Sequence, residues 1–259
     1  MKLTLYQIDA FTDRVFSGNP AAVIPLDKWL DDKLMQSIAA ENNLSETVFF
    51  VAEKDGFRIR WFTPTVEVNL CGHATLASAF VLFNELDYPD EEIIFYSKSD
   101  ELRVSKDKDL LMLDFPVQKP EPCPLPEVLL EAIGVEPLAC LRNIDFVLVY
   151  EREQTIGRIA PRHELIRESG ARGVIVTAPG TEHDFVARFF ASGTGIDEDP
   201  VTGSAYTELV PYWAERTGQR NFRARQMSKR GGELQLELRG DRVMIAGQAV
   251  KYLLGMIEV

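Results

Sequence analysis

From Gly72 to Asn84 the chain reads GHATLASAFVLFN, and Leu76, Ala77, Ala79, Phe80, Val81, Leu82 and Phe83 leave this segment almost no polar side. A helix that is apolar all round is stable only when protein surrounds it. The flanking sequence supplies strands for that purpose. Leu3 to Phe11 alternates apolar and polar residues, and Ala21 to Ile24, Thr47 to Ala52 and Phe57 to Phe62 also read as strands. Ile93 to Tyr96, Glu101 to Lys106 and Leu110 to Phe115 read as a meander. These are strand signals. Ser17-Gly18-Asn19-Pro20 is a turn between the first two strands, and from Asp31 the residues Leu34, Met35, Ile38 and Ala39 form the stripe of an amphipathic helix.

Between Pro116 and Pro126 stand five prolines, which cannot donate to a sheet and restrict their neighbours, so this stretch reads as an extended connector. It divides an N-terminal lobe, residues 1–116 with 247–259 as a candidate completing segment, from a C-terminal lobe, 117–246. The second lobe repeats the logic of the first. A helix over Glu127 to Ile133, a strand near Phe146 to Tyr150, a helix near His163 to Ser169 and strands at Val174 to Thr177 and Asp184 to Phe190 precede a helix after Thr202. Each half sets a small-residue turn before its apolar helix: Asn69-Leu70-Cys71-Gly72-His73-Ala74 and Glu198-Asp199-Pro200-Val201-Thr202-Gly203-Ser204-Ala205. This weak repeat suggests two similar lobes facing each other across a cleft.

Charge and cysteine content narrow the function classes. Lys and Arg total 28 against 40 Asp and Glu, a net charge of -12 that opposes a nucleic-acid partner. The basic stretch Arg220, Arg223, Arg225, Lys229 and Arg230 fits a strand edge. Three cysteines, Cys71, Cys123 and Cys140, form no CxxC pair, so no disulfide framework is expected and a reducing, cytoplasmic compartment is indicated. The start of the chain lacks the sections of a secretory signal, and no apolar run approaches the ~20 residues that span a bilayer. Phosphate-loop, dinucleotide and HExxH zinc motifs are missing. With three dispersed histidines, neither a metal site nor a dissociable cofactor is expected.

The candidate chemistry lies around the two turns. Helix starts offer unpaired N–H groups and the positive end of a dipole, which together grip a carboxylate or a developing enolate. Gly72 and Gly203 would admit a ligand closely, or merely serve tight turns. Glu46, in Asn43-Leu44-Ser45-Glu46-Thr47 beside Val48, Phe49 and Phe50, is a candidate acid and base, or else a solvated loop residue or cap. Asp197, Glu198 and Asp199 crowd a helix entrance, where Asp199 either caps the helix or acts as a second proton carrier. Cys71 beside His73 invites a thiol-nucleophile reading, against a small buried cysteine and a substrate-orienting histidine. His163 reads as an exposed helix residue.

Four ordered motifs, Gly18 to Val23, Asn43 to Thr47, Leu70 to Ala77 and Glu198 to Ala205, resemble those of the phenazine biosynthesis-like isomerase family along the whole chain. The resemblance implies an α+β fold of the diaminopimelate epimerase kind: two pseudo-symmetric lobes, each a curved, mostly antiparallel sheet around a central helix, with the active site between them. It implies that Glu46 takes a proton from a substrate carbon and returns one elsewhere, with Asp199 also at the chemistry. His73, Gly72, Thr202, Gly203, Ser204, Asn19 and Cys71 would line the substrate site. A small anionic metabolite as substrate, no membrane partner and a homodimer follow from the same likeness. Tyr206 stands where many relatives carry His, and Asp199 stands opposite Cys71 where a two-thiol racemase would need a second cysteine. A Cys71-dependent epimerase or hydrolase, and a binding protein without turnover, are the rival readings.

Overall fold

The computed structural model describes residues 1–98 and 101–259. They form two compact units, Met1–Asp114 with Ala246–Val259, and Phe115–Ile245. The first opens with β1 (Lys2–Ala10) and β2 (Asn19–Leu26), an antiparallel pair in which Ala10 lies opposite Asn19. Gly18 makes the turn possible: its φ is +64°, and a Cβ there would lie 2.2 Å from the Ala10 carbonyl oxygen. Helix α1 (Asp32–Asn42) is capped by the Asp31 side chain, which accepts from the Lys33 amide, and buries Met35, Ile38 and Ala39. Strand β3 (Glu46–Glu53) pairs parallel with β2, and β4 (Gly56–Phe62) pairs antiparallel with β3.

The short strand β5 (Glu67–Val68) leads into α2 (Gly72–Glu85). From His73 to Ala79 every residue of α2 is buried, as its apolar sequence demands, and Ser78 satisfies its hydroxyl by donating to the Ala74 carbonyl at 2.8 Å. Strand β6 (Glu92–Tyr96) pairs parallel with β4, and β7 (Glu101–Asp107) and β8 (Leu110–Pro116) complete the meander.

The second unit runs β9 (Glu121–Pro122), α3 (Glu127–Ile133), β10 (Ala139–Arg142), β11 (Phe146–Val149), α4 (Glu153–Arg158) and α5 (His163–Glu168). It continues with β12 (Val174–Pro179), β13 (Phe185–Ala191), β14 (Ile196–Asp199) and α6 (Ala205–Thr217). Strands β15 (Asn221–Gln226), β16 (Gly232–Arg239) and β17 (Arg242–Gly247) follow. The chain then returns to the first unit as β18 (Ala249–Glu258), antiparallel to β1.

Helix α6 carries Pro211, which deprives the Thr207 carbonyl of its helical donor. The Gln118 amide fills that place at 3.0 Å, so the proline-rich segment is stitched to the helix rather than left as a free connector. Its end also contributes β9, which pairs with β10. Both β10 and the short helix α4 escape the sequence reading, because neither is long enough to show a period. The core of this unit joins Leu129, Leu148, Ile156, Ile166, Val176 and Phe190. The basic stretch lies along β15, where Phe222 and Ala224 point inward and Arg223 and Arg225 outward.

Two readings are corrected here. Asp197, Glu198 and Asp199 do not crowd a helix entrance but lie in β14, against β13. They meet separate partners: Asp197 meets Arg167, Glu198 meets Arg188, and Asp199 meets the Thr202 hydroxyl. His163 is not exposed but half-buried, with Nδ1 2.8 Å from the Ser192 hydroxyl.

Candidate active site

Helix α1 ends at Asn43, whose left-handed conformation lets its amide close on the Ala39 carbonyl at 3.1 Å. The chain then reverses, and Glu46 becomes the first residue of β3, opposite Ala21. Parallel pairing thus puts Glu46 beside the start of β2, where Asn19 sits. Glu46 is 9% exposed, which removes the solvated-loop alternative. His73, on the first turn of α2, brings Nε2 to 3.0 Å from Glu46 Oε2. The two atoms are close but out of line, since neither completes a hydrogen bond.

The other face of the imidazole is occupied as well. Asn19 Nδ2 lies 3.1 Å from His73 Nδ1, and Cys71 Sγ lies 3.5 Å from the same nitrogen. Asn19 and Cys71 thus both face Nδ1 while Nε2 faces Glu46, and a second ring proton would make the imidazole cationic. Burial opposes that charge, yet the neighbouring Cys71 and Glu46 together raise His73 well above its ordinary value. Cys71 itself is pushed up to about 11, by burial first and then by the Glu46 charge. At neutral pH it is therefore a protonated thiol.

Of the two readings the sequence left for Cys71, the small buried cysteine fits, since burial is the largest cause of its raised pKa. Its backbone matters more: the Cys71 carbonyl accepts from the Thr75 amide at 3.1 Å and the Thr75 hydroxyl at 2.6 Å, fixing the first turn of α2. No side chain caps this helix. Among the described residues, Glu46, Cys71 and His73 are a group close enough to share a metal ion. The imidazole, however, stands between the carboxylate on its Nε2 side and the thiol on its Nδ1 side, a poor arrangement for one ion to collect all three.

The second motif has a different geometry. Thr202 donates its amide to Gln226 Oε1 at 2.9 Å and its hydroxyl to Asp199 Oδ2 at 2.5 Å. Gln226 Nε2 donates to the Asp199 carbonyl at 2.8 Å, so this buried glutamine braces the whole turn from β15. Sequence gave no sign of that role, since a lone glutamine in a strand carries no motif. Ser204 occupies the N-cap position of α6 without a capping bond, and Ala205, Tyr206 and Thr207 donate to Thr202, Gly203 and Ser204. The Thr202 amide and the first amides of α6 are thus already spent within the protein. Tyr206 is fully buried against Phe185, with ring centroids 6.2 Å apart and no partner for its hydroxyl among the described residues.

A surface pocket of about 600 Å³ in the first unit is lined by Trp29, Glu53, Arg58, Arg60 and Lys98, apart from the Glu46–His73 pair. Its cations are already paired, Arg58 with Glu53, and both Arg60 and Lys98 with Glu67. No helix among the described residues is long and apolar enough to cross a membrane.

Comparison with known proteins gives this site a context. An isomerase of Pseudomonas aeruginosa, itself described as uncharacterized, is 49% identical over 100% of both chains. The crystal structure of a phenazine biosynthesis protein of the PhzF family from Enterococcus faecalis is 43% identical, with a TM-score of 0.97 over 100% of both chains. A hydroxyproline epimerase from Agrobacterium vitis, 9% identical with a TM-score of 0.67 over 99% of this chain and 92% of that one, shares the fold. The family model for phenazine biosynthesis-like proteins matches residues 8–255. The α+β, epimerase-like architecture and the near-complete match leave one conclusion: the chain belongs to the phenazine biosynthesis-like protein family.

Proposed function

We propose that this isomerase moves a proton within a small carboxylate-bearing metabolite, with Glu46 as general acid and base and no dissociable cofactor. The observation that carries the reading is the buried contact between Glu46 and His73 at 3.0 Å, beside a helix start that no side chain caps. In the first step the Glu46 carboxylate takes a proton from a substrate carbon, and the electron pair of the broken C–H bond delocalises into the substrate. His73 Nε2, 3.0 Å from Glu46 Oε2, is the polar neighbour assigned to steady that proton transfer. In the second step the Glu46 carboxyl group returns a proton to a different carbon. The enzyme ends as it began, and no electrons leave the substrate.

The α2 amides of Gly72 and His73 are proposed to receive the substrate carboxylate, with Asn19 and Cys71 shaping the wall around His73. Asp199, Thr202, Gly203 and Ser204 are proposed as substrate-contacting residues of the second unit, with Asp199 as an auxiliary proton carrier. Residues 1–116 with 247–259 and residues 117–246 are taken as the two lobes; the clustering of the chain into two units supports this. The protonated state of Cys71 argues against a thiol-dependent epimerase or hydrolase. A homodimer is also proposed, supported by the exposed apolar side chains Phe16, Tyr252, Leu254 and Met256 of the first unit, and sedimentation would measure it. The free cysteines suit a cytoplasmic setting.

The test is proton exchange in heavy water. Cyclic and amino-acid carboxylates are incubated with wild type and Glu46→Gln, and deuterium at carbon is followed by NMR. Glu46-dependent incorporation supports the reading; a correctly folded Glu46→Gln variant that exchanges at the wild-type rate sinks it.

A further inference from the structure

Two of the three cysteines lie in a part of the second unit that proton transfer does not use. Cys123 follows β9 directly, and Cys140 lies within β10. The two strands pair antiparallel with Pro122 opposite Leu141, and the Cys123 amide donates to the Cys140 carbonyl at 3.0 Å, which extends the ladder by one more pair. Residues opposed in this way have Cα atoms about 4.5–5.5 Å apart, inside the span of about 4.4–6.8 Å that a disulfide bridges. The side chains share one face of the ladder, with Sγ atoms 3.5 Å apart. Both are half-buried and pack against the core of Leu129, Ile133 and Leu148, which keeps them facing each other while leaving an approach for a small molecule.

The two sulfurs are not equivalent. Burial, and then the hydrogen bond and charge of Cys123, push Cys140 up to about 12. Cys140 therefore holds its proton at neutral pH, with Cys123 Sγ 3.5 Å away.

We propose that Cys123 and Cys140 are a dithiol modification site that a hydroperoxide converts to a reversible intrachain disulfide. Cys123 Sγ attacks the peroxide as its thiol gives up a proton: an S–O bond forms, the O–O bond breaks, and the leaving oxygen takes that proton to become water or alcohol. Cys140 then attacks Cys123 Sγ as it loses its proton. An S–S bond forms, the S–O bond breaks, and the departing hydroxide takes that proton as water. The two thiols lose two electrons and the peroxide gains them; an added dithiol reverses the change. The bond needs the sulfurs to close to about 2.0 Å, with no strand displaced from its neighbour. It would clamp the proline-rich segment to β10 around α3. Cys71, buried on α2 in the first unit, takes no part.

The experiment treats the folded full-length protein with hydrogen peroxide, counts free thiols, and maps unreduced peptides by mass spectrometry. The expected result is a Cys123–Cys140 linked peptide lighter by two hydrogens, reversed by dithiothreitol, and formed about tenfold or more slowly in guanidinium, where the loop must find itself by diffusion. Cys71→Ser should keep the product. Cys140→Ser should stop at a Cys123 sulfenic acid that dimedone traps, whereas Cys123→Ser should yield no adduct on Cys140. Thiol loss without this link, a link to Cys71 or between chains, an equal rate in the unfolded chain, or an adduct on Cys140 alone would overturn the proposal. The wild-type rate comparison stands even where a variant fails to fold.

Discussion

The two units repeat one plan of strand pairing yet differ at the corner where chemistry would occur. In the first, β1–β2 is antiparallel, β2–β3 parallel, β3–β4 antiparallel, β4–β6 parallel and β6–β7 antiparallel. In the second, β10–β11, β11–β12, β12–β13, β13–β15 and β15–β16 follow the same alternation. Each unit sets a short strand, β5 or β14, immediately before its buried helix. The corresponding strands β3 and β12 open on Glu46 and Val174 respectively. Shared topology therefore provides an equivalent corner twice, and only the first carries a carboxylate against an imidazole.

The second unit places a different buried polar group in that region. The Asp145 carboxylate is held by Arg172, and Glu208 on α6 accepts the Asp145 amide at 3.2 Å through Oε1 while its Oε2 makes no hydrogen bond. Burial, and then repulsion from Asp145, push Glu208 up to about 8. With one guanidinium beside two carboxyl groups, holding a proton on Glu208 is the electrostatic solution. Neither α2 nor α6 has a side-chain cap, but the turn before α6 is braced by Gln226, which accepts from the Thr202 amide.

That contrast can be broken most severely at Glu46. Glu46→Gln should lower exchange turnover by about 100- to 10,000-fold without loss of fold; survival of activity would mean that the first unit does not carry the chemistry. Glu208→Gln should act on stability instead. Glu208 binds its proton more tightly folded than unfolded, so its contribution is fully present below the ordinary value of 4.5 and is lost as pH rises through about 8. Denaturant unfolding across that range should show a decline with pH in the wild type that flattens in the variant. An unchanged slope would mean that Glu208 titrates normally.

Gln226→Leu leaves the Thr202 amide buried without its acceptor, a loss of about 1–3 kcal/mol, read as a lower denaturant midpoint. If Gln226 only braces the turn, KM should rise more than kcat falls; a large fall in kcat alone would mean that it positions Asp199 for its proposed proton-carrying role. Smallest of all, Lys2→Met removes the exposed Lys2–Glu258 pair at 3.2 Å and should change stability by about 0.2–1 kcal/mol. A greater effect would show that β18 depends on charge rather than on its ladder with β1.

Where a pattern repeats within a few residues, sequence and structure agree closely. Helix α3 spans the expected Glu127–Ile133, and the meander β6 to β8 lies where alternation put it. The disagreements concern partners. Asp199 is a plausible cap by spacing, but its segment joins β13 as a strand. His163 is a plausible surface residue, but Ser192 comes from a distant turn to meet it.

The sequence by itself determined that α2 must be enclosed, that a proline-rich segment follows β8, and that four ordered motifs mark the family, because local periodicity and residue type are written along the chain. Only the tertiary structure decided that Glu46 is buried against His73, that Gln226 closes the second turn, and that Cys123 meets Cys140. Those outcomes depend on which strands pair, in which direction and in which register, and pairing is set by the joint burial of many distant side chains.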